Sequence, residues 1–411
     1  MAIIKPFRGY LPPSELARKV SSPPYDVISS DEAREIILNN PDSFLRVIKP
    51  EIDYASSSDI PGNILHQHAK DNLQDFIESG KLLQDDKPCF YLYEITMGCH
   101  TQTGIMAAVS VTEYNNGNIK KHEFTRPDKE DDRTEHIEMT NANTGPVFLT
   151  FSNDGEFQHQ IESIKNKTAD ISLQADDNTL HNLWKIPILD DQISLITYFE
   201  SIPALYIADG HHRAASASRV QRIREAANSY HKGDEPYNFF LSVIFPHDEM
   251  QIMDYNRVVK DLNGLTDSQF INLIQTNFNL TVLPNAVRPN MKNIFSMFLL
   301  GSWYKLKAKD EILSDDPVEG LDASILQNHL LEPLLGINDP RTDVRIDFIG
   351  GIRGLEELEN RCSLDTAVAF ALYPVSIENL LAVADANKVM PPKSTWFEPK
   401  LRSGLVVRLL D

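Results

Sequence analysis

Apolar and polar positions change phase repeatedly along this chain, and the blocks read as short strands interleaved with helices. Residues 1–10 read as a strand that stops at the turn-rich Leu11-Pro12-Pro13. After the stiff Pro23-Pro24-Tyr25-Asp26 turn, Ser29 with Glu32 three residues on has the spacing of a capping box. Ile36, Ile37 and Leu38 lie within the helix it opens. A longer helix is expected over 62–79, closed by Gly80, and strands at about 89–97 and 103–111. The stretch 112–145 is polar and dense in charge, with a helix expected over 133–141. Residues 146–151 read as a buried strand, and 152–200 alternate short helices and strands. Ala204 to Ala208 is a short apolar strand, Asp209 to Arg213 a polar turn, and an alanine-rich helix follows at once. An apolar strand over 238–246 closes this half.

A boundary is expected near 247–262, giving parts at 1–250 and 251–411. Beyond it the pattern predicts helix 267–277, strand 278–284, helix 289–299, strand 302–308, helix 321–335, strand 343–349, helix 353–360, strand 366–373 and helix 375–387. A last strand is expected over 402–410. Strands interleaved with helices predict an α+β (mixed α/β) class.

Composition narrows the picture. With 411 residues, 42% hydrophobic and 24% charged, the chain reads as globular, with room for two or three domains. A net charge of −20 argues against a broad nucleic-acid footprint but leaves room for a local basic pocket. Cys89, Cys99 and Cys362 are odd in number and widely spaced, so neither a zinc ribbon nor a disulfide framework is expected. The first residues lack the apolar core and cleavage site of a signal peptide. No run approaches the ~20 apolar residues of a membrane span. A cytoplasmic protein with no membrane partner is expected.

The Asp209-Gly210-His211-His212-Arg213 turn is the densest candidate chemistry. It sits between a strand and a helix, and a helix N-terminus offers N–H groups and a positive dipole end to an anion. Gly210 lets backbone approach a ligand, Arg213 supplies a fork of donors suited to phosphate, and Asp209 adds a carboxylate for a metal ion or a proton. The competing reading is a polar turn that only caps the next helix. Adjacent histidines rarely ligate one metal, which argues against zinc. His122-Glu123-Phe124-Thr125-Arg126 is not His-Glu-x-x-His, yet Glu123 can serve as a general base. Lys121, Arg126, Lys129 and Arg133 surround it with positive charge, and the alternative is a solvated loop.

Tyr25 and Asp26 form either a stiff turn or an active-site wall. Gly350-Gly351 in the 348–354 stretch repeats the anion logic weakly, with close packing at a tight turn as the rival. Lys393, Ser394 and Thr395 follow two prolines and suit an anion or hydroxyl contact, or a rigid connector ahead of Trp396. Arg257 points into a cleft or pairs on the surface.

Lys5-Pro6-Phe7-Arg8, Pro23 to Ile28, Asp209 to Arg213, Leu321-Asp322 to Gly336 and Met390 to Thr395 together resemble a large bacterial and archaeal family catalogued as domain of unknown function 1015. The central turn also resembles the ligand turn of the ParB/sulfiredoxin-like superfamily, which includes free-serine kinases. That resemblance implies a ParB/sulfiredoxin-like N-terminal part with a C-terminal α/β part. It implies that Gly210, His211, His212 and Arg213 bind phosphate. A glutamate base is also implied, for which Glu123 is the candidate. Sulfiredoxin activity is disfavoured because no cysteine stands in the turn, and ParB-like DNA binding because no basic helix-turn-helix region is offered. The expected function is phosphotransfer to a small hydroxylated acceptor, free serine above all, from a nucleotide or pyrophosphate donor. Asp209 would hold Mg2+, while Tyr25, Asp26, Arg257, Lys393, Ser394 and Thr395 would contact the acceptor. The alternatives are a non-catalytic regulatory protein that binds a nucleotide or phosphometabolite, and a phosphatase using the same turn.

Overall fold

The computed structural model describes residues 2–54 and 60–411. The chain divides into two compact units. Residues 1–121, 125–250 and 399–411 form the first, and 122–124 with 251–398 form the second. Residues 399–411, read above with the C-terminal half, thus pack in the first unit.

The first unit is built on a nine-stranded sheet. In chain order its strands are β1 (Ile4–Lys5), β2 (Phe90–Met97), β3 (His100–Ser110), β4 (Ile119–Lys120), β5 (Val147–Phe151), β6 (Ile171–Gln174), β7 (Leu180–Ile186), β8 (Leu205–Asp209) and β9 (Phe239–Pro246). They lie in the order β4-β8-β5-β9-β3-β2-β7-β6, with β1 on β3. Phe90, Tyr91, Leu92 and Tyr93 are all fully buried, so β2 shows an unbroken apolar run rather than alternation. Helices include α1 (Ser30–Asn39), α2 (Gly62–Glu78), α3 (Pro127–Thr140) and α4 (His211–Ala227). Phe151 anchors the core, with the Phe157 and Phe199 rings edge-on at 5.5 and 5.6 Å. Such pairs add roughly 0.5–1.5 kcal/mol each beyond the area they bury.

The second unit carries an antiparallel six-stranded sheet. Its strands are β10 (Tyr255–Val259), β11 (Phe278–Leu283), β12 (Ile294–Leu299), β13 (Ser302–Ala308), β14 (Ile346–Gly350) and β15 (Val368–Ala371), in the order β11-β13-β12-β15-β10-β14. Phe270, Phe278, Phe295, Leu306, Leu330 and Phe370 meet in its core.

The chain is mixed α+β, as its pattern predicts. The capping box is present: the Glu32 N–H donates to Ser29 Oγ and the Ser29 N–H to Glu32 Oε2, at 3.1 and 2.7 Å. Three expectations need correction. The helix expected over 289–299 is the strand β12, buried on both faces between β13 and β15, so its apolar run has no period of two. A two-residue turn joins it to β13, with Leu300 and Gly301 both at positive φ (50° and 73°), the geometry that matches strand twist. The strand expected over 402–410 is reduced to Arg408–Leu409, which pairs with Ala142–Asn143, plus single bridges at Ser403 and Val407. The helix expected over 133–141 starts earlier, because Pro127 fits the first helical turn. Among the described residues, no helix is long and apolar enough to cross a membrane.

Candidate functional site

Strand β8 ends at the turn the sequence singles out. It runs antiparallel to β5, so its last residue lies beside the first residues of that strand. The register breaks there: Ile207 faces Leu149 and Asp209 faces Phe148, leaving Ala208 as the extra residue of a bulge. A bulge re-aims the side chains that follow it. Gly210 then takes φ 91° and ψ 29°, a left-handed conformation costing an L-residue roughly 1–2 kcal/mol. Helix α4 starts at once, with His211 as its first residue and Gly210, which has no side chain, as its cap residue. Asp209 is therefore the last strand residue rather than part of the turn.

The Asp209 carboxylate accepts from its neighbour's N–H, Gly210, at 2.7 Å through Oδ1. Its Oδ2 accepts from Lys400 Nζ at 2.8 Å. Burial alone would push this carboxyl up. Lys400, then Arg213 and the Gly210 N–H, outweigh that and hold it well below the usual carboxylate range. It is ionised at neutral pH. His212 Nε2 accepts from the Arg126 N–H at 3.0 Å, so the ring's donor is Nδ1–H. His211 is buried.

Arg213 points back under the turn. Its Nη1 donates to Pro146 O at 2.8 Å, and its Nη2 lies 3.5 Å from Asp26 Oδ1. Its guanidinium carbon is 5.3 Å from the Tyr25 ring centre, and that of Arg133 is 4.4 Å from the same ring. Arg133 is held by Asp132 at 2.7 Å. Burial and the charge of Asp26 push the Tyr25 phenol up to about 12 in spite of both guanidiniums, so it stays protonated. The first unit therefore brings together Tyr25, Asp26 and the whole Asp209–Arg213 segment.

The other expected residues belong to the second unit. Glu123 lies in the 122–124 segment. There His122 O accepts from the Met390 N–H at 2.8 Å, and His122 Nε2 is 3.4 Å from Thr395 Oγ1. Lys393 sits at φ 58°, with Nζ 5.6 Å from the Tyr255 ring centre. Ser394 Oγ donates to Pro391 O at 2.7 Å. Arg257 is buried within the sheet: its Nη1 donates to Tyr255 O and its guanidinium lies over Phe348 at 5.4 Å. Burial pulls it down to about 10. The Gly350-Gly351 stretch is close packing. A Cβ on Gly350 would stand 2.6 Å from the Trp396 ring, and one on Gly351 would meet the Asp254 carboxylate. Gly351–Arg353 is a single short turn, and the helix expected over 353–360 begins only at Glu356 and runs to Leu364.

Two residues of the first unit's site were not singled out for it from sequence. Lys400 lies 191 positions from Asp209, so no local pattern signals the pair. Arg133 was visible only as one charge in a charge-dense stretch.

The family described as "Protein of unknown function (DUF1015)" matches residues 4–324. No curated protein matches the chain significantly. Solved structures similar to it include a free serine kinase in complex with AMP, 11% identical, covering 74% of this chain and 92% of that one at a TM-score of 0.35. Another is SbnI with C-terminal truncation from Staphylococcus aureus, at 12%, 74%, 87% and 0.39 in the same order. A conserved hypothetical protein from Pyrococcus furiosus stands at 12%, 74%, 95% and 0.36. Likeness at these scores bears on no residue or activity of this chain.

Proposed function

The chain belongs to the DUF1015 family, and we propose that it is a phosphotransferase acting on a small hydroxylated metabolite, with free serine as acceptor and a nucleotide or pyrophosphate as donor. One observation carries this reading: the left-handed Gly210, a cap residue without a side chain, opens a helix directly after Asp209, whose carboxylate Lys400 and Arg213 hold ionised. Phosphoryl transfer asks mainly for positioning and charge neutralisation. N–H groups at a helix start and a guanidinium fork supply both.

In the reaction the acceptor oxygen bonds to the terminal phosphorus, and the bond from that phosphorus to the rest of the donor breaks. The hydroxyl proton passes to a base, the role this reading gives Glu123. His211 and His212 are assigned to phosphoryl oxygens, and Lys400 joins them by exchanging Asp209 for phosphate. Mg2+, when bound, would neutralise donor charge. Asp209 is the carboxylate that would hold it in this reading, directly or through water. Tyr25 and Asp26 wall the acceptor in this reading.

Phosphorus NMR tests the proposal. The protein is given Mg2+ and L-serine with ATP, ADP or pyrophosphate in parallel. A phosphoserine signal is expected with one donor, and Arg213→Ala should abolish it while leaving the far-UV circular dichroism unchanged. Full activity in that variant refutes the assignment. Phosphate release without an acceptor identifies a hydrolase instead, and donor binding with no turnover a regulatory protein.

A further inference from the structure

Beneath the turn, within the first unit, lies a cavity of about 30 Å³. Arg133 and Arg213 both line it, and among the described residues no carboxylate does. Two cations facing one small space is an unusual provision in a chain of net charge −20. The remaining polar lining is neutral. Tyr25 stays protonated, and burial pushes His136 down to about 3, with its Nε2–H donating to Val47 O at 3.0 Å.

Thr144 and Ser403 also line the cavity, and they are 8% and 2% exposed. Their hydroxyls can turn toward a group placed in the cavity. Gly145 keeps the space open. A Cβ there would stand 3.2 Å from Ser403 Oγ and 3.6 Å from the Arg213 guanidinium carbon.

We propose that this cavity is the carboxylate subsite of the acceptor, so that the substrate class is small hydroxy acids. The inference rests on the phosphotransferase reading and deepens it. A volume of this size holds one or two water-sized groups. The two oxygens of a carboxylate fit such a space. Guanidinium forks match a carboxylate in shape and charge, and the two buried hydroxyls supply the further donors it needs. Arg213 stands between this cavity and the turn. A carboxylate seated here leaves a hydroxyl one or two carbons away on the side of the phosphate-binding N–H groups. Recognition of the carboxylate then lies in the first unit, not at Arg257 or Lys393.

Isothermal titration of the whole protein decides this, with L-serine, D-glycerate and serinol as acceptor probes and ATP, ADP and pyrophosphate as separate donor probes. Serinol keeps the hydroxyl and amine of serine and carries a second hydroxymethyl group in place of the carboxylate. The wild type is expected to bind at least one hydroxy acid and to bind serinol at least tenfold more weakly. Arg133→Gln and Thr144→Val should each weaken hydroxy-acid binding, by about tenfold to a hundredfold for the arginine. They should change donor binding by less than twofold. Thr144→Val is nearly isosteric and keeps the test valid should Arg133→Gln misfold. The inference is overturned by serinol binding as tightly as L-serine, by hydroxy-acid affinity unchanged in both variants, or by a wild type that binds a donor but no hydroxy acid. That last result leaves the phosphate-binding reading standing. Carboxylate-dependent binding with no affinity for any donor has the opposite meaning: the subsite holds and the phosphotransferase reading fails.

Discussion

Replacing Lys400 with methionine isolates what the ion pair at the turn contributes. Methionine keeps most of the stem's bulk and removes the charge 2.8 Å from Asp209 Oδ2. The magnitude follows from exposure. Side chains of Lys400 and Asp209 are 16% and 38% exposed. Fully exposed pairs contribute about 0.2–1 kcal/mol, and breaking a buried pair costs about 3–5 kcal/mol. With one partner more than a third exposed, solvent screening places Lys400→Met at about 1–2 kcal/mol of destabilisation at pH 7. The pH dependence has a definite sign. The Asp209 carboxyl lies below its unfolded value of about 3.9. Its stabilisation is therefore fully present above about pH 5 and is lost as pH falls through the folded value. In the variant, burial is opposed only by Arg213 and the Gly210 N–H, so the carboxyl rises and the acid-side loss shrinks. The gap between wild type and variant should be widest at pH 7 and narrow below about pH 4. Hydrogen exchange of β8 and α4 in a urea series at pH 7, 5 and 3.5 reads this locally. Global probes mix two units that need not unfold together. A gap under about 0.3 kcal/mol at pH 7, or one that widens as pH falls, refutes the argument.

Gly210→Ala should cost about 1–2 kcal/mol, read as a shift in urea midpoint. The nearest atom to the added Cβ is Val147 Cα at 3.5 Å, so the strain is in the backbone, and Gly210→Asn should cost less. In the second unit, burial raises Asp322 to about 6 against the Asn293 N–H that donates to it, and its Oδ2 has no partner among the described residues. Its folded value lies above the unfolded one, so stability is lost as pH rises from about 4 through 6. Between pH 4 and pH 7 the stability of Asp322→Asn relative to wild type should rise by about 2–3 kcal/mol, and an unchanged difference in urea titrations refutes this.

Local signals were legible in the sequence wherever chemistry and structure shared a few residues. The Ser29–Glu32 box and the Asp209–Arg213 segment are of this kind, since each is set by spacing along a single turn. Strand β12 was misread because burial on both faces removes alternation, and because Leu300, unlike Asn or Gly, does not advertise a left-handed turn. Lys400, Thr144 and Ser403 left no trace. Ordinary residues acquire their roles only when the sheet brings distant segments together. Tyr25 was weighed evenly between a stiff turn and a site wall. What gives it meaning is two guanidiniums, from α3 and α4, on one ring.

The division of the chain into units sets the order in which their segments become available during synthesis. The second unit is threaded into the first between residues 250 and 399, and its entry and exit strands, Gln251–Met253 and Trp396–Glu398, are paired with each other. During synthesis residues 251–398 emerge complete before Lys400 and Ser403 exist. The first unit, begun earlier, waits with its turn unsealed until residues 399–411 arrive. Of the two units, the one begun earlier thus closes later. A nascent chain stalled before residue 399 presents a finished insert on an open host, and the open host is the form that chaperones and proteases would meet.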